Sequence, residues 1–193
     1  MMTPSPAERL TIGEAQEDVR EIYHGGFMGP LVSAGLWLAA AVVTEAGGVS
    51  WGAPVLFFGG MLIFPLSMLG NRMLGKHADL PSGHPMRGLA MQSAFGMVAG
   101  LLAAWVLASV VPGGFFPLAM VIVGAHYFTF THLYGDAAFL VFGAAQVVAG
   151  LLVMVNSMPA TFSAYLMACV LLGMSTTLFV RHRRRHASTP ESA

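Results

Sequence analysis

Long apolar runs dominate this chain, and short turn-forming segments separate them. A helix needs about 20 mostly apolar residues to cross the hydrocarbon core of a membrane. Glycine, proline and asparagine mark the breaks at residues 47–48, 112–114 and 156–159. The pattern predicts six transmembrane spans, at residues 29–44, 53–73, 88–111, 115–134, 137–156 and 160–180.

Composition supports this interpretation. Of the 193 residues, 56% are hydrophobic and only 9% are charged, whereas a soluble domain carries about 25% charged residues. We therefore predict an all-α fold, a polytopic transmembrane helical bundle of six spans in three antiparallel hairpins. Residues 1–26 are predicted to form a cytoplasmic N-terminal segment with a short amphipathic helix. Residues 27–181 form the six-span transmembrane domain, and residues 182–193 form a basic, disordered cytoplasmic tail.

The positions of lysine and arginine predict the orientation, because these residues are enriched in cytoplasmic loops. With six spans and the N-terminus inside, all nine Lys and Arg residues lie on the cytoplasmic side. Glu45 is then the only charged residue outside. Five or seven spans would place a basic cluster on the wrong side. We expect a multi-pass protein of the cell membrane, inner or plasma, with both termini cytoplasmic.

The segment before the first span has a helix start signal. Thr11 and Glu14 fit a capping box, and apolar residues then recur at helical spacing opposite an acidic face. We expect this short helix to pack against the basic loop at residues 71–87. A solvated acidic face is the alternative.

The fourth span carries the most informative polar residues. His126, Thr129, His132 and Asp136 fall within an arc of about 120° on an ideal helix. Ionisable groups inside a membrane usually face protein or a watery cavity, and histidine changes charge near neutral pH. Gln146, central in the fifth span, is expected to meet this stripe. The set therefore predicts a substrate or proton path.

Structural roles explain the same residues. A neutral histidine can hydrogen-bond across a helix interface, and Asp136 occupies an N-cap position before the fifth span. Gln92 and Ser93, in the inner third of the third span, are among the few other polar residues at depth. Both interpretations remain open from the sequence.

The second span contains a proline well inside its apolar run. Pro65 follows Gly59 and Gly60, and it is expected to kink the helix and to free a carbonyl near Met61. Interrupted helices line many transport sites. Kinked helices without a transport role are at least as common.

The remaining signals concern partners and chemistry. Zero formal net charge argues against nucleic acid as a partner. Glycine-rich nucleotide loops, serine nucleophile elbows and paired carboxylates are absent, so we predict no catalytic residue, no cofactor and no metal site. The lipid bilayer is the expected partner, whereas a soluble partner and a homo-oligomer are left open. Anionic lipid headgroups are expected to contact the four arginines that follow the last span: Arg181, Arg183, Arg184 and Arg185.

Two segments carry a family resemblance. The acidic pre-helix at residues 14–20 (EAQEDVR) and residues 59–67 (GGMLIFPLS) resemble a bacterial family of small six-span membrane proteins of unknown function. The repeated hairpin pattern is similar, more distantly, to that of six-span acid-resistance membrane proteins. Because the first family has no assigned activity, the resemblance implies no functional residues.

Three functional hypotheses follow. The leading one is a small transporter or channel-like protein for a small solute or ion, with His126 and His132 near the permeation path. The alternative is a non-catalytic membrane scaffold or regulatory protein that acts through partners or lipids. The third, an enzyme, would need a metal held by the histidines and Asp136 in the membrane.

Overall fold

The computed structural model describes residues 10–75, 79–111 and 113–187. Within these residues the chain forms eight α-helices, a 3-10 turn at His24–Gly26 and short connecting turns, with no strand. Residues 1–9 and 188–193, the ends of the predicted terminal segments, lie outside the described part. The helices are α1 (Ile12–Ile22), α2 (Met28–Gly47), α3 (Val49–Gly60), α4 (Ile63–Met73), α5 (Pro85–Ala108), α6 (Phe115–Tyr134), α7 (Ala138–Val155) and α8 (Ala160–Ala187).

Five segments of the described chain are long and apolar enough to cross a membrane, namely α5 to α8 and the segment His24–Gly47 that contains α2. The helices α3 and α4 make a sixth crossing if the bent pair is counted as one span. The predicted transmembrane helical bundle is therefore confirmed, and the number of spans is five or six.

The second predicted span is broken rather than gently kinked. The axes of α3 and α4 differ by 53°, and the bend lies at Met61 and Leu62, between the two helices. Pro65 lies in the first turn of α4, where the missing N–H removes no helical hydrogen bond. The glycines Gly59 and Gly60 end α3. The proline thus begins a new helix just after the bend.

The helix pairs differ from three separate hairpins. The most extensive packing is between α6 and α7, followed by α2 with α8, α2 with α3, and α5 with α6. The predicted third hairpin consists of α7 and α8. These two helices are only weakly packed on each other, since α8 packs far more extensively on α2. Close antiparallel approach explains the strength of the α6–α7 pair. A Cβ at Gly124 would lie 2.7 Å from the carbonyl oxygen of Gly143.

The core lies where α2, α6 and α8 face one another. The indole of Trp37 in α2 packs 5.9 Å from the ring of Phe116 in α6, measured between centroids. Both side chains are almost fully buried. The facing surface of α8 is equally buried, and it consists mainly of Met167, Leu171 and Met174. The buried residues of α2 include the alanines Ala34, Ala40 and Ala41, and this helix packs extensively on α8.

The helix α1 lies across one end of the bundle. Its capping box is formed as predicted, with Thr11 and Glu14 each bonded to the other's backbone. Its buried residues are Ala15 and Val19. Among the described residues, α1 lies on the end of α6 and also meets the expected segment 71–87. The contact with that segment includes His84, whose Nε2 is 3.6 Å from the Asp18 carboxylate.

The last helix is longer than predicted. Whereas the sequence pattern places residues 182–193 in a disordered tail, α8 continues to Ala187. Arg181 and Arg185, one turn apart, both bond to Asp136 in the α6–α7 turn. Because residues four apart lie on the same face of a helix, both bonds attach the basic end of α8 to the α6–α7 turn.

We expect the Gly143→Ala variant to be destabilised, because the new methyl group would lie 2.7 Å from the carbonyl oxygen of Gly124. Overpacking of this kind costs about 1–3 kcal/mol. Gly173→Ala in α8 is the control, since nothing lies within 4 Å of its Cβ position. Thermal unfolding in detergent measures both. Equal midpoints for the two variants would contradict the proposed close contact.

Candidate functional site

A cleft of about 440 Å³ lies between α5 and α6. It is open along one side, and α5 has most of its surface exposed. The third and fourth predicted spans supply all of its walls. The lining residues are Leu89, Gln92, Ser93, Gly96, Met97 and Gly100 from α5, and Ile122, Ala125, His126 and Thr129 from α6.

His126 and Ser93 form the polar centre of this cleft. The Nδ1 atom of His126 lies 2.7 Å from the hydroxyl oxygen of Ser93 and 3.2 Å from its carbonyl oxygen. One face of the imidazole is covered by Phe130, with 4.5 Å between ring centroids. Because both contacts use Nδ1, the Nε2 atom keeps its hydrogen-bonding capacity for another group. The pair is thus a positioned donor or acceptor at the level of the membrane.

The cleft combines this polar centre with an apolar wall. Gln92 and Thr129 add an amide and a hydroxyl to the lining. Small residues leave the space, and Gly96 has nothing within 4 Å of its Cβ position. A pocket of mostly apolar walls with a few placed polar groups is typical of small-molecule sites.

The structure separates the predicted polar stripe. Thr129 lies beside His126 in the cleft, whereas the His132 side chain is exposed and its carbonyl oxygen accepts a hydrogen bond from Gln16, at 2.6 Å. Gln146 is fully buried and points its amide nitrogen at the sulfur of Met174, 3.8 Å away. Its partner is therefore α8, and it does not line the cleft.

Asp136 leaves the stripe because α6 ends before it. Gly135 adopts a left-handed conformation, with φ of 59°, so His132 and Asp136 do not share one helix. The Asp136 side chain turns toward the start of α7 and accepts the Ala138 N–H at 2.9 Å. The sequence predicts Asp136 at the N-cap itself, whereas Ala137 is the residue directly before α7, so Asp136 bonds to the start of the helix from one position earlier.

Asp136 also binds two of the four basic residues predicted to meet lipid. Its carboxylate accepts hydrogen bonds from Arg181 at 3.0 Å and from Arg185 at 2.7 Å. The carboxylate is 5% exposed, whereas the two arginine side chains are 47% and 44% exposed. Nearby, the Arg183 guanidinium lies 5.9 Å from the centre of the Phe179 ring. We name the set of Asp136, Arg181 and Arg185 the end clamp.

The end clamp shifts the titration of its carboxyl group. Burial by itself raises the pKa of Asp136. The Ala138 amide and the guanidinium groups of Arg181 and Arg185 lower this pKa by more than burial raises it. The net pKa therefore lies below the ordinary value for aspartate. The sequence does not indicate this clamp, because 45 residues separate Asp136 from Arg181.

We expect Asp136→Asn to destabilise the protein near neutral pH, because two arginines and the start of α7 lose a charged acceptor. Loss of such bonds costs about 1–3 kcal/mol. Since the folded pKa is lowered, the contribution is present above the ordinary aspartate pKa and is lost as the pH falls below about 4. Chemical unfolding at pH 7 and pH 3 measures it.

Glu17→Gln is the matched control for this test, because Glu17 is an exposed acid on α1. A difference between Asp136→Asn and wild type that is as large at pH 3 as at pH 7 would contradict the charge-based explanation.

Comparison with known proteins identifies the family of this chain, and that family has no assigned activity. No curated protein and no solved structure matches the chain. The sequence resemblance at residues 14–20 and 59–67 already predicts a family of unknown function. The chain belongs to the family of unknown function DUF7010, whose model matches residues 12–181.

Proposed function

We propose that this membrane protein is a small transporter-like protein that binds a small solute in the cleft between α5 and α6. The observation that supports this function is the His126–Ser93 pair at the centre of the cleft. The solute has a polar group that hydrogen-bonds the imidazole and an apolar part that lies along the walls. Gln92 and Thr129 are the two further hydrogen-bonding groups within the lining.

The sparse packing of α5 supports movement of this helix, which forms one wall of the cleft. Only 11% of the most apolar 18-residue stretch of α5 is buried, compared with 44% for the corresponding stretches of α6 and α8. Its main neighbour is α6, and its contacts with α1 and α3 are few. A helix with few buried contacts can shift at low free-energy cost. Movement of α5 therefore changes the packing of few core residues, chiefly Leu101 and Ala104.

The proposed route lies at the side of the bundle. Gln146 is buried against α8, and large side chains such as Phe116, Met120 and Met174 fill the centre. A substrate or proton path lined by both His126 and Gln146, which is one of the two interpretations of the sequence, has no support from this packing. Entry from the membrane side of α5 and α6 fits the open edge of the cleft.

The proposal includes the orientation of the protein in the membrane. The helix α1, the α6–α7 turn and the basic end of α8 meet at one end of the bundle, through Arg20 with Tyr134 and through the end clamp. Arginine and lysine are retained on the cytoplasmic side. This end faces the cytoplasm, and the protein spans the cell membrane with both termini inside.

A second candidate function is a scaffold or regulatory protein. The end of the bundle that carries α1 supports it, because Gln16 and Arg20 donate to backbone carbonyls of His132 and Tyr134 and so fix an acidic helix on the surface. The third hypothesis, a metal enzyme, needs three converging ligands. Within the described ranges no three His, Cys, Asp or Glu side chains lie together in that way. Asp136, moreover, is held by the end clamp.

The transporter proposal predicts a ligand that stabilises wild type through His126. Purified protein is screened against ions and small metabolites by thermal unfolding in detergent. A ligand present at about 100 times its Kd adds about 2.7 kcal/mol to the free energy of unfolding. We expect this gain to be lost in His126→Ala and reduced in Ser93→Ala, since both remove the polar centre.

His132→Ala is the matched control, because this histidine lies on the same helix with an exposed side chain outside the cleft. We expect it to keep the full ligand effect. Equal losses in the His126 and His132 variants, or no stabilising ligand for wild type, would favour the scaffold function. Flux into liposomes then tests movement of the ligand that is found.

The orientation predicts the behaviour of reporter fusions in a bacterial host. Alkaline phosphatase is active only outside the cytoplasm, so we expect activity when it follows Gly48, in the first outer turn, and none when it follows Ala187. A fluorescent protein that matures only inside should show the opposite pattern. Phosphatase activity after Ala187 would overturn the proposed orientation.

A further inference from the structure

The helix α1 lies across the ends of both helices that form the cleft. On one side, the side chains of Gln16 and Arg20 donate hydrogen bonds to backbone carbonyl oxygens, each at 2.6 Å. The acceptors belong to His132 and Tyr134, in the last turn of α6. Two side chains of α1 therefore attach it to the α6 wall of the cleft.

The other side of α1 meets the start of α5. The Asp18 carboxylate lies 3.6 Å from Nε2 of His84, the residue directly before α5. The imidazole is buried, whereas the Asp18 side chain is about half exposed. Within the described part of the chain this buried Nε2 atom has no hydrogen bond, so the nearby Asp18 carboxylate compensates its burial.

The helical geometry of α1 explains why it reaches both walls. At about 100° per residue, Ala15 and Val19 form one stripe, and both side chains are buried on the bundle. Gln16 and Arg20 lie along one edge of this stripe, and Asp18 lies along the opposite edge. The two edges therefore meet different helices while the stripe packs on the end of the bundle.

The remaining acids of α1 face away from the bundle. They are exposed and form its outer face: Glu14, Glu17 and Glu21. Asp18 is thus the acid of α1 that lies at the α5 edge, and the outer acids provide controls of the same charge.

The end of α1 has a further electrostatic link to this region. Burial raises the pKa of the Tyr23 hydroxyl, which follows α1. The Asp79 carboxylate raises this pKa further, whereas the Leu80 backbone and the Arg87 guanidinium lower it. Since Arg87 lies in the first turn of α5, the start of α5 is within electrostatic reach of α1 at a second point.

His84 holds the start of α5 in two ways. Its Nδ1 atom accepts the N–H of Met86 at 3.2 Å, so His84 caps the helix. Because Nδ1 accepts this bond, the neutral imidazole carries its proton on Nε2, the atom that faces Asp18. A single side chain thus couples the first turn of α5 to α1.

The position of α5 depends on this contact because α5 has few others. Its main neighbour is α6, and it meets only α1 and α3 to a smaller extent among the well-packed pairs. Leu89, the first cleft residue of α5, follows His84 by five positions, or about 7.5 Å along the helix axis. Loss of the contact at His84 therefore acts close to the cleft.

We propose that α1 is a strap that sets the width of the cleft, and that the Asp18–His84 contact is its releasable end. Gln16 and Arg20 hold the strap on α6 through two hydrogen bonds, whereas the half-exposed Asp18 holds α5 through one contact. Release of Asp18 allows the first half of α5 to move away from α6. As regulation of solute binding, this inference rests on the proposed function of the cleft.

Hydrogen–deuterium exchange of the full chain in detergent measures this release without any solute. The amides of residues 86–97 report on the first half of α5, and those of residues 163–175 in α8 are the internal reference. We expect Asp18→Ala to speed exchange at residues 86–97 about two- to fivefold, as for loss of a partly exposed ionic contact. Glu17→Ala is the matched control and should keep the wild-type rate.

A charge exchange separates the strap from the helix cap. Aspartate is also a good N-cap residue, so His84→Asp keeps the cap of α5 but places a second carboxylate near Asp18. We expect fast exchange in His84→Asp, and the wild-type rate when it is combined with Asp18→Lys. If His84→Asp fails to fold, Asp18→Ala with its control carries the test.

Spin labels measure the separation of the walls. The labels are attached through Phe95→Cys on α5 and Val148→Cys on α7, two exposed positions, in a Cys169→Ala background. The helix α7 reports the position of α6, because these two helices form the most extensive pair. We expect the distance distribution to broaden in Asp18→Ala and to stay unchanged in Glu17→Ala.

Two results would overturn the strap. The first is wild-type exchange at residues 86–97 in Asp18→Ala. The second is fast exchange in His84→Asp that Asp18→Lys does not restore, which would leave His84 as a helix cap alone. Failure of the solute-binding function is a separate outcome, because it appears as the lack of a stabilising ligand and leaves the exchange rates of these variants unchanged.

Discussion

The close contact between the backbones of α6 and α7 sets the rotation of α6, and most of the structure depends on that rotation. At Gly124 and Gly143 the two helices approach so closely that a Cβ on either would lie 2.7 Å from the other's carbonyl oxygen. A helix has distinct faces because residues repeat every 3.6 positions. With the glycine face turned to α7, Phe116 and Met120 enter the core, and His126 is directed to α5. One contact thus places both the core and the polar centre of the cleft.

The end clamp compensates the charge of a buried carboxylate. Asp136 is nearly buried, and a buried carboxylate is costly unless charges and hydrogen bonds compensate it. Arg181, Arg185 and the Ala138 amide supply that compensation. The same bonds join the α6–α7 turn to α8, which otherwise packs mainly on α2. The clamp therefore connects the two best-packed helix pairs.

The cleft and the end clamp occupy different environments in the structure. The cleft at His126 lies along the apolar length of α5 and α6, where a hydrogen bond has little competition from water. The end clamp lies at the polar end of the bundle and shares no residue with the cleft. Variants at Ser93 and His126 therefore test the cleft without removing the bonds of the end clamp.

The sequence alone determined the features that depend on local pattern. Long apolar runs predict membrane helices because lipid leaves no other partner for backbone polar groups, and the Thr11–Glu14 cap depends on residues three apart. Ser93 and His126 are visible as polar residues at depth. That they meet was decided by tertiary structure, because 33 residues separate them. The burial of Gln146 against α8, the weak third hairpin and the end clamp likewise depend on which helix faces which. Helix faces are chosen by packing across the whole bundle, and no local periodicity encodes that choice.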